Sequence, residues 1–317
     1  MKPLVSVVIP SYNPSPKVLS RVLNSLKSQS FSPKKWELII VNNASTRWPE
    51  ECLFLNKEID NLSIIYEPQP GATYARQRGL KAAKGDISIL VDDDNILSHN
   101  YLLRAVALLA ANPSVGALGG RINLEFSQEP PRWIEEFYGI LGSWDHGDTF
   151  LVSNGLCPLG SSTKQYPYFA PLTAGLVVRR PTWEAWLTHL DLHPVMPDRC
   201  QGALSSGGDN DAILTMMESG WEVAYSPELS LTNYVPSFRL APTYLAKLNY
   251  ECRLGFIRAL RRHDACPWPL IPLWTLPIRV VKSWIYTQGW KAPENYIRWR
   301  GKVGTYRGLV CSDKPTP

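Results

Sequence analysis

No Cys-x-x-Cys pair occurs in this chain. Its six cysteines, Cys52, Cys157, Cys200, Cys252, Cys266 and Cys311, are scattered, which argues against both a zinc site and a disulfide scaffold and fits a reducing, cytoplasmic setting. Apolar runs long enough to span a bilayer are also absent. Met1-Lys2-Pro3 leads straight into strand-like sequence, too short for a signal peptide and without a cleavage site. No Lys/Arg block is long enough to serve as a nucleic-acid arm. The net charge of +5 therefore reads as phosphate handling or attraction to an anionic membrane face. Repeats and low-complexity tracts are lacking. What remains is a globular chain, soluble or at most peripheral, whose 317 residues suffice for one large domain or two smaller ones.

What the chain does have is an apolar, β-branched run, Ile87 to Val91, that ends in three consecutive carboxylates, Asp92, Asp93 and Asp94, just before a helical pattern. Such a run reads as a buried central strand. Three like charges at its end each raise the cost of ionising the others, so a positive partner is expected there. Oxygen-only ligands suit magnesium or manganese, and ligands of open α/β sheets bind outside the carboxyl ends of the strands. The plainer reading is an acidic turn that caps a helix.

Around this element, strands are expected at 4–9, 36–41, 62–66 and 115–118, the last ending at Gly119-Gly120. Amphipathic helices are expected from Pro16, over 73–83 and over 101–111. Strands alternating with helices predict a mostly parallel, right-handedly wound sheet with the ends of strands one, two and four in one crevice. About fifty residues after Gly120 show no period and read as a long irregular insertion forming a lid or acceptor surface. Order returns at 172–178, in a helix from Pro181, in a helix over 212–219 and in a strand over 221–225. After Pro236 the composition shifts to a helix over 244–262 and a stretch dense in Pro, Trp and Leu.

A second acidic group, Gly207-Gly208-Asp209-Asn210-Asp211, opens a helix. The helix dipole keeps a carboxylate ionised there, able to accept a proton from a hydroxyl, although Asp at this place is ordinarily a cap. Arg76 suits a diphosphate through two parallel hydrogen bonds, and equally an internal partner for Asp92 to Asp94 or a solvated helix-face charge. His189 and His193 have the i, i+4 spacing of a metal pair, but no third ligand is evident in the sequence and they are read as surface residues.

Five motifs then occur in the order seen in family 2 glycosyltransferases: residues 5–13 (VSVVIPSYN), 41–46 (VNNAST), 71–79 (GATYARQRG), 91–94 (VDDD) and 208–211 (GDND). The resemblance covers about residues 1–235 and implies an inverting enzyme of the GT-A fold, a Rossmann-like, mostly parallel α/β sheet flanked by helices. It implies a nucleotide-sugar-binding half over about 1–120, an acceptor half over about 121–235, and a helical, Trp/Pro-rich C-terminal extension over 236–317. By that resemblance Pro10, Tyr12 and Asn42 hold the base, Arg76 the diphosphate, Asp92 with Asp93 the nucleotide, and Asp94 a divalent Mn2+ or Mg2+. Asp209 is the general base, while Gly175, Gly208, Asp211 and Asn233 lie toward the sugar or acceptor. The chain departs from the family in carrying Asn42 where an Asp is usual and Asn233 where a His is frequent. An amide oxygen accepts without charge and is a weaker transition-metal ligand than imidazole.

The implied reaction is a single displacement that moves a sugar from a nucleotide-sugar, expected to be a UDP-sugar, to a hydroxyl of a glycan or lipid-linked acceptor. The tail mixes Trp268, Trp274, Trp284 and Trp290 with Arg279 and Lys282, as membrane-surface segments do, or else packs over the catalytic domain. A membrane contact would place the protein at the inner face of the membrane. Two competing functions are a sugar-phosphate nucleotidyltransferase, which needs a Gly-rich basic loop after strand one that residues 10–14 lack, and a non-catalytic nucleotide-sugar-binding protein.

Overall fold

The computed structural model describes residues 2–49, 61–153, 155–156, 164–196, 198–199 and 203–310. Cys52, Cys157, Cys200 and Cys311 lie outside them; Cys252 and Cys266 are free thiols. No helix among the described residues is long and apolar enough to cross a membrane.

The centre is β1 (Val5–Ser11), whose β-branched residues suit a strand buried on both faces. It runs parallel to β2 (Trp36–Asn43) on one side and to β4 (Ile87–Leu90) on the other, and β3 (Leu62–Glu67) continues the parallel set beyond β2. The period-two alternation sorts its side chains between two cores. Val5, Val7 and Ile9 meet α1 (Pro16–Lys27) and α3 (Tyr101–Ala111) through Leu19, Leu23, Leu102 and Leu109. Val8 faces the other way, with Leu80 of α2 (Ala72–Ala82), Trp186 of α4 (Arg180–Leu192) and Leu214 of α5 (Gly208–Glu218). Burying each such aliphatic side chain is worth about 1.5–3 kcal/mol, which is why one-sided slippage of β1 is excluded.

The acidic triplet does not lead into a helix. It turns directly into β5 (Asn95–Leu97), and α3 begins only at Tyr101. β6 does not end at Gly119-Gly120 but runs as Val115–Phe126, with an irregularity at Gly120/Arg121. The reason is close approach: a Cβ on Gly120 would sit 2.0 Å from the carbonyl oxygen of Leu229, so the glycine lets two backbones pass rather than stopping the strand. Its partner β9 (Glu222–Val235) is likewise longer than the expected 221–225. In the stretch read as irregular, residues Arg132–Leu141 form consecutive 3-10 turns, and β7 (Leu151–Val152) pairs with β9. In the stretch 172–178, where order is expected to return, the strand that forms is the shorter β8 (Val177–Arg179), which runs antiparallel to β4 and β6. The sheet order is β3-β2-β1-β4-β8-β6-β9-β5, mostly parallel, with the short β5, β7 and β8 antiparallel.

Three helices follow: α6 (Pro242–Arg262), α7 (Leu276–Thr287) and α8 (Pro293–Leu309). Leu245 and Leu248 of α6 join Ile134, Phe137 and Val235 in a separate core that also takes in Ile297 of α8. α6 comes so close to the loop before α5 that a Cβ on Gly255 would lie 1.7 Å from the carbonyl oxygen of Ser206.

Gly255→Ala must push that loop or α6 aside, and overpacking of this kind costs about 1–3 kcal/mol. The expected outcome is a urea midpoint lowered to match, with unchanged slope; a midpoint equal to wild type would mean that the contact is not tight in solution.

Candidate active site

The parallel register delivers the site. Ser11 stands opposite Asn42, and Val8 opposite Leu90, so the polar residues that follow all three strands emerge at one sheet edge. Ser11 Oγ donates to Asp93 Oδ2 at 2.7 Å, tying the end of β1 to the acidic turn. Asn42 Oδ1 accepts from the Ser45 backbone N–H at 3.1 Å, which shapes the loop after β2. Its neighbour Asn43 takes the Gly71 N–H on Oδ1 at 2.8 Å and donates to the Gln69 carbonyl at 2.7 Å, anchoring the entry to α2. Pro10 is half-buried at the end of β1, and Tyr12, just beyond it, is 46% exposed, leaving one ring face open.

Arg76 is buried on α2, and its guanidinium gathers three carboxylates from three distant segments. Nη1 donates to Asp198 Oδ2 at 2.8 Å and Asp209 Oδ1 at 3.4 Å, and Nη2 donates to Asp92 Oδ1 at 3.3 Å. Burial disfavours its charge, but Asp92, Asp209 and Asp198 outweigh that and hold its pKa above the ordinary value. Arg76 Nε is buried without a partner among the described residues. Of the readings open in the sequence, the internal ion pair is the one formed here. Asp198 is pushed up to about 6, chiefly by burial, with Arg76 opposing.

Burial pushes Asp93 up to about 7, and its neighbour Asp94 adds to the effect by repulsion. Asp94 is raised in the same direction by burial and by Asp92, against the pull of Arg239, whose Nη1 lies 3.1 Å from Asp94 Oδ2. Asn95 Nδ2 bridges Asp94 Oδ1 at 3.1 Å and Asn233 Oδ1 at 3.2 Å, while Asn233 Nδ2 donates to the Leu141 carbonyl at 2.9 Å. Asn233 is therefore joined to the acidic turn through Asn95. The Tyr101 hydroxyl donates to the Gly175 carbonyl at 2.6 Å, fixing the bend before β8. Gly208, at the first turn of α5, lies against Thr73 and Asp198, where a Cβ would come within 2.7 Å of Thr73 Oγ1.

Asp211 goes elsewhere. It is buried, and its carboxylate contacts Arg262, His263 and His189 rather than the group around Arg76. His189 is accordingly not a free surface residue, although His193, stacked on it, is exposed. Asp198 and Arg239 escaped the sequence reading because neither belongs to a periodic or motif-like stretch; they reach the site only through tertiary contact.

A Rossmann-like parallel half joined through an acidic turn to a mixed half is the GT-A architecture. Residues 6–157 match the family described as Glycosyl transferase family 2. The glycosyltransferase AglE of Haloferax volcanii is 32% identical over 127 residues, covering 39% of this chain and 40% of AglE. The poly(ribitol-phosphate) beta-N-acetylglucosaminyltransferase TarS of Staphylococcus aureus is 30% identical over 106 residues, covering 33% of this chain and 18% of TarS. The matched stretches are thus well under half the length of these relatives. In structure, S. aureus TarS 1-349 in complex with UDP-GlcNAc superposes with a TM-score of 0.53 at 16% identity, covering 97% of this chain and 90% of that one, a likeness of fold.

Arg76→Met leaves Asp198 buried beside two other carboxylates with no ion-paired cation, only the longer-range attraction of Arg199 opposing their repulsion. Breaking a buried pair from one side costs about 3–5 kcal/mol, and the partial exposure of Asp92 and Asp209 places the expected loss near the lower figure. Adding Asp198→Asn is expected to restore part of that loss in urea melts; strictly additive losses would show that the two groups do not interact.

Proposed function

We propose that the chain is an inverting glycosyltransferase that moves a sugar from a UDP-sugar to a hydroxyl of a glycan or lipid-linked acceptor. The observation that carries this reading is the convergence of Asp92, from the turn after β4, and Asp209, from the start of α5, on one guanidinium at the carboxyl ends of the parallel strands. It puts a diphosphate-binding region and a candidate base side by side. The solved complex of TarS with UDP-GlcNAc supports uridine as the nucleoside of the donor. Pro10, Tyr12 and Asn42 are assigned to the base, a role supported for Tyr12 by its exposed ring, which is free to stack.

In the reaction, Asp209 accepts the proton of the acceptor hydroxyl as its oxygen bonds to the anomeric carbon. The bond from that carbon to the diphosphate breaks on the opposite side, which inverts the centre. Asp209 stands in the first turn of α5. Arg76, released in part from Asp92 and Asp209, is placed to offer its Nη donors to the departing diphosphate. Asp92 and Asp93 are assigned to the nucleotide side and Gly175, Gly208 and Asn233 to the sugar and acceptor half, whereas Asp211 turns away toward His189, Arg262 and His263.

The acidic turn fits a hard dication: it offers carboxylate oxygens from three consecutive residues, of which Asp93 and Asp94 are raised chiefly by burial, with repulsion from neighbouring carboxylates adding to it. Asp94 would be the ligand for Mn2+ or Mg2+, with Arg239 giving way. When bound, such an ion neutralises charge on the diphosphate.

The test is nucleoside diphosphate release from a panel of UDP-, GDP- and dTDP-sugars. Asp209→Asn is expected to lower acceptor-dependent release by about 10²–10⁴-fold with donor affinity near normal, the range typical for loss of a positioned base. Asp94→Ala is expected to abolish the dependence on added Mn2+ or Mg2+. An Asp209→Asn enzyme that turned over normally would remove the base assignment, and release from no donor would favour a binding protein.

A contact with anionic membrane belongs to the same reading. Between Asp264 and Glu294 the chain carries no carboxylate side chain but has Arg279, Lys282 and Lys291. Here Leu273, Trp274, Ile278, Val281, Ile285 and Tyr286 are exposed. Trp284 instead packs with Trp290, Tyr296 and Trp299, so the tail divides into an aromatic stack on α8 and an apolar face turned outward. An apolar face flanked by cations is the composition of an interfacial helix. Liposomes containing phosphatidylserine are expected to float the protein, and Trp274→Glu with Ile285→Glu to leave it at the bottom of the gradient. Equal flotation of both proteins would rule this face out.

A further inference from the structure

Three of the five histidines meet at one place, outside the site described above. His189 comes from α4 and His193 directly follows it, as His263 directly follows α6; the carboxylate between them is Asp211 of α5. His263 Nε2 lies 3.2 Å from Asp211 Oδ1, and His189 Nε2 lies 3.7 Å from Asp211 Oδ2. One donor atom from each residue falls within 4.8 Å of the others. Tetrahedral zinc with nitrogen and oxygen ligands at about 2.0–2.1 Å separates neighbouring donors by about 3.3 Å, a spacing the two measured distances bracket.

The hydrogen bonds around the cluster point the same way. His263 Nδ1 faces Glu218 Oε2 at 2.8 Å, the carboxylate–histidine pairing that aims the other ring nitrogen at a metal. With Nδ1–H donated to Glu218, a neutral His263 would turn the Nε2 lone pair toward the carboxylate of Asp211. Such a contact needs either a second proton on the ring or a cation between the two. His189 Nε2 is buried and has no hydrogen-bond partner among the described residues, although it faces the same carboxylate. His193 stacks on His189 with centroids 4.3 Å apart and an interplanar angle of 20°, which fixes the plane of the ring.

We propose that His189, Asp211 and His263 form a binding site for a late first-row transition dication of the zinc class, separate from the acidic turn at Asp94. Two imidazoles and one carboxylate prefer zinc, cobalt or nickel, whereas the oxygen-only turn prefers magnesium or manganese. Two positive groups compete with the ion. Arg262 Nη1 lies 3.0 Å from Asp211 Oδ1, and Lys164 Nζ lies 2.7 Å from Glu218 Oε1. Arg262 is only partly buried and has room to swing away. Binding exchanges the Nε2 proton of His263 for the metal and releases it to solvent. The ion would link α4, α5 and α6 behind the segment that carries Asp209. The inference does not depend on which sugar or acceptor the protein uses.

The experiment is titration of the chelator-stripped full chain with Co2+, read by its visible absorption, and with Zn2+ by competition and thermal melting, with Mg2+ as the control. One Co2+ per chain with a nitrogen- and oxygen-ligand spectrum is expected, unchanged in Asp94→Ala and at least about tenfold weaker in His263→Ala and in His189→Gln. Arg262→Gln, which removes the competing guanidinium and spares every ligand, is expected to bind more tightly, and this keeps the test decisive if His263→Ala fails to fold. Absence of Co2+ binding by the wild-type chain would overturn the site. So would binding that survives both histidine substitutions with a thiolate spectrum, which would assign the ion to cysteine.

Discussion

One guanidinium organises the catalytic region. Arg76 is buried among Asp92, Asp198 and Asp209, and each of these comes from a different stretch of chain. Carboxylates so close together repel one another, and burial makes solvent a poor mediator, so their neighbourhood persists only because a cation stands between them. The turn after β4, the segment before α5 and α5 itself are thereby held at fixed distances. Asp93 and Asp94 have weaker compensation, from Ser11 and Arg239, and their raised proton affinities record it. Three carboxylates thus share one guanidinium at Arg76, and Asp93 and Asp94 beside them add further negative charge, which is the surplus expected where an internal strut adjoins a place for a cationic visitor.

The parts of the fold legible in the sequence were those whose cause is local. β1, β2 and β4 are buried on both faces, so apolar runs mark them, and their polar ends mark the crevice. α3 reads directly from its apolar spacing. Where the cause is tertiary, sequence pattern misleads. Gly119-Gly120 has the look of a turn, yet β6 passes through it because Leu229 crosses there. The acidic triplet looks like a helix entry, yet pairing with β9 draws the next residues into β5.

The site divides in the same way. Asp92 to Asp94 and Asp209 are visible because strand ends and helix starts display them. Asp198 lies 122 residues from Arg76 along the chain, and nothing in its own surroundings announces the contact. The histidine cluster shows the limit more clearly. His189 and His193 form a suggestive pair, but the residues that complete it are Asp211 and His263, themselves 52 positions apart, and a rule based on spacing finds neither.

The close passage of Gly255 over Ser206 bears on the order in which the protein becomes functional. During synthesis the parallel strands and the acidic turn emerge first. The loop that leads to Asp209 cannot settle as it emerges, because one of its walls is a helix made some fifty residues later. Until α6 has formed and settled, the nascent chain has a crevice at the strand ends without a fixed Asp209 beside it. Assembly is then sequential, with the loop that carries Asp209 placed last.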